Sequence, residues 1–261
     1  MTIMFNGKFV SKKNAKISML SDSFLHGYGV FETLRTYGGI VIEGPAHIDR
    51  LFLSAKIIGL KIKYKKSEII SMISKVVSKS PAKNQLIKVV AVMEGLIVFS
   101  NTLVINPSIY KTGVACLCVE CGRILPEVKS ISYLGSHVSH FGAVKQGYYD
   151  AILTDKKEEV FEGSYANVFW FEGDILCTRK DEVLHGITAE MVIKLSPFKV
   201  KFKNINKRDL VKKSEVFLTQ TTRGVIPVTK IDKTKIGGGK IGKKTKKLME
   251  IYVACVHPGM R

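Results

Sequence analysis

Short apolar segments of two periodicities alternate along the whole chain, and this alternation restricts the fold more than any other feature. Residues 47–58 carry apolar side chains at the three- and four-residue spacing of an amphipathic helix, whereas 85–92 is a short apolar run typical of a strand. The second half repeats the mixture, with a strand-like run at 167–171 and a helix-like segment at 188–195 that Pro197 ends. We therefore predict an α+β fold.

A break in this pattern predicts where two domains meet. Residues 119–128 are less periodic than their surroundings and contain a glycine and a proline. We predict a small N-terminal α+β domain over residues 1–118, an interdomain segment over 119–128 and a larger C-terminal α+β domain over 129–261. The larger domain is expected to open with a helix over 130–146. A cleft between two such domains is a common place for a ligand.

The sequence contains no segment with the length and apolarity of a membrane span. The longest apolar candidate, 86–105, is interrupted by charged residues and glycine, and we expect it to form two strands around a turn. Residues 1–8 lack the charged-then-apolar layout of a secretory signal peptide. Because 46% of the residues are apolar, buried cores are well supplied. We expect a cytoplasmic protein.

The five cysteines do not follow the spacing of a disulfide framework. Cys116, Cys118 and Cys121 superficially resemble a metal clip, but no second cysteine or histidine pair stands at the spacing that a zinc site needs. We expect reduced cysteines on strands and no metal ion.

The chain is strongly basic, with 41 lysines and arginines against 22 acidic residues and a net charge of +19. The lysines are spread along the chain and no recognisable nucleic-acid module organises them. We expect them to lie on solvated faces and expect no nucleic-acid partner. Anionic ligands would still feel the positive field.

Two residues stand out chemically. Lys129 lies among small and apolar neighbours, and Glu162 ends a short apolar segment beside a glycine. A lysine that forms a Schiff base and a carboxylate that holds a pyridinium nitrogen are what pyridoxal 5'-phosphate (PLP) chemistry requires. Taken alone, Lys129 is typical of a surface lysine and Glu162 of a turn residue.

Three further segments have the chemistry of a phosphate site. Arg50 lies in a predicted helix, where its planar fork can bind a phosphate with two hydrogen bonds. Residues 186–188, Gly-Ile-Thr, lead into a helix N-terminus, whose N–H groups and dipole favour anions. Residues 219–224 combine three threonines with Arg223. Each segment alone is weak, because surface arginines and helix starts are common.

The order of these motifs resembles the class IV aminotransferases, which are fold-type-IV PLP enzymes. That family includes branched-chain aminotransferases, D-amino acid aminotransferases and aminodeoxychorismate lyases. The resemblance covers nearly the whole chain and rests on the segments Asp22–Arg35 (DSFLHGYGVFETLR), His47–Leu51 (HIDRL), Lys129–Gly135 (KSISYLG), Glu162–Phe169 (EGSYANVF), Gly186–Thr188 (GIT) and Thr219–Val228 (TQTTRGVIPV).

The resemblance implies a two-domain fold-type-IV structure with the cofactor in the cleft between the domains. Lys129 is then the catalytic residue, which forms the Schiff base and moves the substrate proton. Tyr133 would contact the phenolic oxygen of PLP, and Glu162 its ring nitrogen. Thr222 would bind the substrate carboxylate. The residues implied for the phosphate cup are Arg50, Ile187, Thr188 and Thr221.

Departures from the family pattern bear on the substrate. Residues 89–96 lack the Arg-x-His carboxylate trap of D-amino acid aminotransferases, and Tyr28 replaces a frequent aspartate. Ala189 replaces the arginine that commonly follows Gly-Ile-Thr. Tyr28 and Phe31 are expected to line an apolar substrate pocket together with Phe24 and Tyr37. Arg223 is expected either to meet a second carboxylate or to face solvent.

The favoured function is an aminotransferase that moves an amino group between an amino acid, branched-chain-like, and a 2-keto acid. The alternatives are aminodeoxychorismate lyase, which produces 4-aminobenzoate and pyruvate, and a D-amino acid or (R)-amine transaminase. A non-catalytic or nucleic-acid-associated protein with the same fold is the hypothesis from a different class. The resemblance further implies a homodimer, with the aromatic segment 24–31 as a contributor to the contact.

Overall fold

A computed structural model describes residues 1–257, which divide by packing into two compact units. The first joins Met1–Val104 to Val128–Tyr133 and residues 256–257, and the second joins Ile105–Glu127 to Leu134–Cys255. The segment with Lys129 thus belongs to the first unit. The predicted domain boundaries stay a prediction, because compact packing does not test which segments fold independently.

The first unit is a six-stranded antiparallel sheet with two helices packed against it. The strand order is β2-β1-β6-β5-β3-β4. Its elements are β1 (Thr2–Phe5), β2 (Lys8–Phe9), a 3-10 turn (Lys12–Asn14), α1 (Asp22–Leu25), β3 (Gly29–Tyr37), β4 (Ile40–Val41), α2 (Gly44–Ile57), α3 (Lys66–Ser78), β5 (Gln85–Val92) and β6 (Gly95–Thr102). The core lies between the sheet and helices α2 and α3.

The second unit is built on a nine-stranded mixed sheet of order β12-β11-β10-β13-β14-β7-β8-β9, with β15 paired to β14. Its elements are α4 (Ser108–Lys111), β7 (Val114–Glu120), α5 (Leu134–Lys145), β8 (Asp150–Thr154), β9 (Val160–Gly163), β10 (Asn167–Glu172), β11 (Ile175–Thr178), α6 (Ile187–Leu195), β12 (Lys199–Phe202), α7 (Lys207–Leu210), β13 (Val216–Gln220), β14 (Gly224–Ile231), β15 (Thr234–Lys235), a 3-10 turn (Ile236–Gly239) and α8 (Lys243–Val256).

Helix α2 shows how the sequence sets local structure. Glu43 precedes it in the left-handed conformation at φ +50°, and Pro45 lies in the first turn, where its missing N–H is tolerated. Ile48 and Leu51 are fully buried, and each such burial contributes roughly 1.5–3 kcal/mol. Gly59, at φ +74°, lets the chain turn away after the helix. The predicted helix over 47–58 is confirmed.

Most elements predicted from periodicity are present, and the α+β class is confirmed. Strand β5 and helix α6 match their predicted ranges to within one residue, and 86–105 indeed forms two strands around a turn. The predicted helix over 130–146 is wrong at its start, because α5 begins only at Leu134. Ser130 instead forms an antiparallel bridge with Val30 of β3.

Within residues 1–257, no helix combines the length and apolarity needed to cross a bilayer. The same residues contain no group of three or more histidine, cysteine, aspartate or glutamate side chains arranged to hold a metal ion. All five cysteines are free thiols. Burial raises the pKa of Cys116 and raises that of Cys118 to about 12, which makes both thiols poor nucleophiles.

Candidate active site

The backbone around Lys129 is fixed by strand β3 and helix α2. The Phe31 N–H donates to the Lys129 carbonyl at 2.9 Å, and the Ile131 N–H donates to the Gly29 carbonyl at 3.0 Å. The Lys129 N–H donates to Ser54 Oγ at 3.2 Å. A Cβ atom at Gly29 would lie 2.8 Å from the Ile131 side chain and 2.9 Å from a carbonyl of β5, so glycine is required for this close approach.

The Lys129 side chain lies over an aromatic ring. Its Nζ is 4.7 Å from the centroid of the Phe31 ring, which also contacts Tyr133 edge-on at 5.4 Å. Lys88 approaches the same ring at 4.5 Å, and burial lowers the pKa of its ammonium group. The structure therefore brings together three predicted site residues, Lys129, Phe31 and Tyr133, and adds a second lysine beside them.

Arg50 is held by a buried network that the sequence analysis did not identify. Arg50 donates from Nε to Glu32 Oε1 at 2.7 Å and from Nη2 to Glu32 Oε2 at 2.9 Å. His47 Nδ1 lies 2.7 Å from the same Oε2. Glu32 is fully buried and the exposed fractions of His47 and Arg50 are 1% and 8%, so the guanidinium points in one fixed direction.

The charges of this network follow from its contacts. Burial by itself would raise the pKa of Glu32, but the Arg50 guanidinium and the hydrogen bond with His47 outweigh burial and lower the pKa to about 2. Burial lowers the pKa of His47, and the charges of Arg50 and Lys129 act in the same direction, while Glu32 opposes them. We therefore assign an ionised Glu32 between a charged Arg50 and a neutral His47.

In the second unit, Glu162 lies on β9 with an exposed fraction of 4%. Arg123 Nη1 donates to its Oε1, and the Leu184 N–H donates to its Oε2 at 3.1 Å. Both carboxylate oxygens thus accept hydrogen bonds, one of them from a guanidinium, which favours the ionised form. Arg123 was not among the predicted site residues.

A cavity of about 600 Å³ borders Arg123 and Glu162. Four further carboxylates line it: Glu127, Asp155, Asp181 and Glu182. Because this lining repels anions, a phosphate group is disfavoured on this side of Glu162.

A chain of contacts connects Glu162 with the start of α6. The Leu184 carbonyl accepts a hydrogen bond from Asn167 Nδ2 at 2.7 Å, and a Cβ atom at Gly186 would lie 2.0 Å from Asn167 Oδ1. Helix α6 begins at Ile187, and no side chain within the described residues caps its N-terminus. Ile187 and Thr188 are buried there, as the first residues of a helix that presents backbone N–H groups.

Strand β13 brings the threonine segment to the same region. Thr219 lies directly opposite Asn167 in the sheet register and therefore on the same face. Its hydroxyl is buried and has no hydrogen-bond partner among the described residues. Thr221 and Thr222 follow in the turn to β14, with Thr222 buried and Thr221 half-buried. The structure thus brings Ile187, Thr188 and the threonine segment to one part of the second unit.

Tyr28 has a structural contact that its predicted role did not include. Its hydroxyl donates to the Ile58 carbonyl at 2.8 Å, after the end of α2, and its ring packs against the core of the first unit. Phe24 is 58% exposed, whereas Tyr37 is buried beneath the Arg35 guanidinium. The substrate contacts predicted for Tyr28 and Phe31 stay predictions.

The partners missed from the sequence left different traces. Glu32 is an acidic residue within the apolar run of β3, and His47 and Arg50 are three residues apart on one helix, a spacing that places them on one face. These two patterns indicate a buried ion pair. Arg123 follows a glycine in an irregular segment, and no local pattern distinguishes it.

The chain matches the class IV aminotransferase family over residues 29–231. It is 32% identical to a Methanocaldococcus jannaschii protein assigned as a branched-chain-amino-acid aminotransferase, over 97% of this chain and 95% of that protein. A D-alanine aminotransferase of Listeria monocytogenes is 28% identical over 97% of this chain and 95% of that protein.

Among solved structures, the chain is similar to the branched-chain amino acid aminotransferase of Thermoproteus uzoniensis with norvaline. The TM-score is 0.90 at 27% sequence identity, and the match covers 98% of this chain and 94% of that one. A second branched-chain amino acid aminotransferase, from the source abbreviated T.th., was solved with pyridoxamine 5'-phosphate. It gives a TM-score of 0.92 at 26% identity, over 100% of this chain and 95% of that one. The Escherichia coli branched-chain amino acid aminotransferase, at 23% identity and a TM-score of 0.91, shares the fold.

Proposed function

The chain belongs to the class IV aminotransferase family, and from this premise we propose that it is a PLP-dependent enzyme that moves an amino group between a branched-chain amino acid and a 2-keto acid. Family membership confirms the resemblance found in the sequence and makes the chain an aminotransferase-type enzyme. Bound PLP would supply an electron sink for the pair of electrons left when the substrate Cα proton departs.

The observation that carries this proposal is the continuous set of contacts from Glu162 through Leu184 and Asn167 to the start of α6. The ring nitrogen and the phosphate are on different parts of PLP, and they need opposite partners, an anion and a set of N–H donors. The second unit offers an ionised carboxylate and an uncapped helix N-terminus on one connected frame.

A buried hydroxyl supports the fit of a phosphate near α6. Thr219 Oγ1 is buried without a partner among the described residues, which is unfavourable by about 1–3 kcal/mol unless a ligand or water completes it. It lies opposite Asn167, whose side chain reaches the segment that leads into α6. The residues present therefore fit a bound phosphate group.

Each residue has a separate task in this proposal. Lys129 binds the cofactor's aldehyde carbon and later carries the proton away from the substrate Cα. Glu162, kept ionised by Arg123, holds the ring nitrogen in its protonated form, and Tyr133 hydrogen-bonds the phenolic oxygen. Thr222 and Arg223 bind substrate. The phosphate group is assigned to Arg50, Ile187, Thr188 and Thr221.

Two observations bear on the amino donor. The relative at 32% identity and the Thermoproteus uzoniensis structure both carry branched-chain names, and Phe31 with Tyr133 offers an apolar surface beside Lys129. D-alanine is the second candidate donor, because proteins named D-alanine aminotransferase match at 28% identity over a similar length. The Arg-x-His motif is absent from 89–96, which favours the first candidate.

The assembly and compartment belong to the same proposal. Helix α5 exposes Leu134, Val138 and Phe141, at a spacing that places them on one face. This apolar stripe supports a homodimer, and sedimentation velocity tests it. Five free thiols support a reducing compartment such as the cytoplasm.

The test is to reduce the PLP-loaded protein with borohydride and map the labelled peptide. We expect the label on Lys129 and none on Lys88, the matched control that lies over the same Phe31 ring. Lys129→Ala should be colourless and inactive, whereas Lys88→Ala should keep both colour and activity. A label on Lys88, or a wild-type protein that binds no PLP, contradicts the proposal.

The donor is identified by adding L-leucine, D-alanine or an (R)-amine and following the loss of the visible absorption band. We expect L-leucine to react fastest. Faster reaction with D-alanine supports the second candidate. No reaction with any donor, together with pyruvate release from aminodeoxychorismate, identifies a lyase instead.

A further inference from the structure

Arg223 differs from the other arginines that form ion pairs in this structure. Arg50, Arg123, Arg179 and Arg208 each contact at least one carboxylate. Arg223 is half-buried, but no carboxylate among the described residues lies within ion-pair distance of it. A partly desolvated guanidinium without a counter-ion favours binding of an external anion.

The side chain of Arg223 is held in place by neutral oxygens. Its Nη1 donates to Gln220 Oε1 at 3.2 Å and to Thr222 Oγ1 at 3.1 Å, and Thr222 Oγ1 donates to the same Gln220 oxygen at 3.1 Å. No acceptor within residues 1–257 contacts Nε or Nη2. Those N–H groups remain for a ligand, on a guanidinium whose position is already set.

The turn that carries Arg223 is rigid. The Arg223 N–H donates to the Gln220 carbonyl at 3.1 Å, and the Tyr110 hydroxyl donates to the Arg223 carbonyl at 2.6 Å. Gly224 adopts φ +67°, and a Cβ atom there would lie 2.5 Å from the Tyr252 ring. Because the turn is braced from two elements, little ordering of the chain is needed when an anion binds.

The position of the guanidinium suggests which part of a ligand it meets. It contacts the hydroxyl of Thr222, the residue assigned above to the substrate's α-carboxylate. We propose that Arg223 is a specificity-determining residue that binds the second carboxylate of a dicarboxylic amino acid or 2-keto acid. This inference rests on the transaminase function proposed above.

The test compares two amino acceptors that share a five-carbon chain, 2-oxoglutarate and 2-oxopentanoate. Arg223→Gln should lower kcat/KM for 2-oxoglutarate by about 10- to 100-fold, the range expected for a lost charge-assisted hydrogen bond. The value for 2-oxopentanoate should stay within about twofold. Arg223→Lys should recover part of the loss, since it keeps the charge without the planar fork.

The matched control is Arg208→Gln. Arg208 is 81% exposed in its side chain and pairs with Glu158, so this variant removes one positive charge from the same unit away from the turn. It should change neither acceptor. Equal losses with both acceptors in Arg223→Gln, or equal effects of the two substitutions, overturn the assignment of Arg223 to the second carboxylate.

A binding measurement separates this inference from the proposed function. Glutarate has two carboxylates and pentanoate has one, and a ligand that binds the folded state raises its melting temperature. We expect glutarate, but not pentanoate, to stabilise the wild-type holoprotein, and Arg223→Gln to abolish that stabilisation. If leucine is transaminated but glutarate does not bind and 2-oxoglutarate is not preferred, the inference fails alone. If glutarate binds through Arg223 but no amino group is transferred, the proposed function fails alone.

Discussion

Replacing Glu32 by glutamine tests the buried network that orients Arg50. Glutamine keeps the shape of the side chain but removes the charge, and it places an amide N–H₂ opposite donors on Arg50 and His47. The native pKa of Glu32 falls from 4.5 to about 2, which corresponds to about 3 kcal/mol at neutral pH. Loss of one partner from a buried ion pair has a similar effect, about 3–5 kcal/mol.

The assay is urea unfolding at pH 7, followed by circular dichroism, together with the melting temperature. A loss of about 3 kcal/mol predicts a fall in melting temperature of about 6–12 °C for a chain of this size. The matched control is Asp49→Asn, one residue before Arg50 on the same helix. Asp49 also forms an ion pair, with Lys66 at 2.6 Å, but it is 61% exposed, so its loss should amount to less than about 1 kcal/mol.

The pH dependence gives an independent check on the wild-type protein. Because folding lowers the pKa of Glu32, its contribution is complete above the unfolded value of 4.5 and is lost as the pH falls toward about 2. The difference in stability between wild type and Glu32→Gln should therefore shrink across that interval.

A double variant completes the test. Glu32→Gln combined with Arg50→Gln should lose less stability than the two single variants added together, because no buried charge remains unpaired. Additive losses, or a Glu32→Gln effect no larger than that of Asp49→Asn, refute the reasoning.

Three further substitutions test the second unit. Thr219→Val should leave the stability of the ligand-free protein unchanged or slightly higher, since the hydroxyl has no partner there, but should weaken PLP binding in a fluorescence titration; unchanged affinity contradicts the role given to this hydroxyl. Gly186→Ala should lower stability by about 1–3 kcal/mol in urea unfolding, because the new methyl group would displace Asn167, whereas Gly142→Ala in α5 has open space and should be neutral or stabilising. Arg123→Gln should lower kcat by about 10-fold or more with partial recovery in Arg123→Lys, because the carboxylate beneath the ring nitrogen loses its counter-ion; a kcat equal to wild type contradicts this.

Local periodicity was sufficient to predict the elements whose cores are built from neighbouring residues. Helix α2 has buried residues at the helical spacing, and β5 alternates buried and half-buried positions, so each carries its pattern within a dozen residues. The segment 130–133 was misassigned because its conformation depends on pairing with Val30, about one hundred residues earlier in the chain. A preference of the local sequence does not contain that pairing.

The site followed the same division. Lys129, Glu162 and the threonine segment were identifiable because their chemistry is unusual for their surroundings and their order matches a family. Their partners were not, because Arg123 is 39 residues from Glu162 in sequence and Glu32 is 18 residues from Arg50. Such pairs exist only once the sheets have formed, so they are properties of the fold rather than of any single motif.

These pairs change the meaning of the chain's basic composition. Arg50 and Glu32 together carry no net charge, so this arginine contributes to a phosphate site mainly through the direction of its remaining N–H groups. The attraction for an anion in the second unit then comes from the N-terminus of α6 and from local donors, both of which act over a few ångströms. The excess of surface lysines acts over a longer distance and is screened by salt. Net charge and site charge are therefore separate quantities here, and Arg223, a guanidinium without a carboxylate partner within residues 1–257, belongs to the second kind.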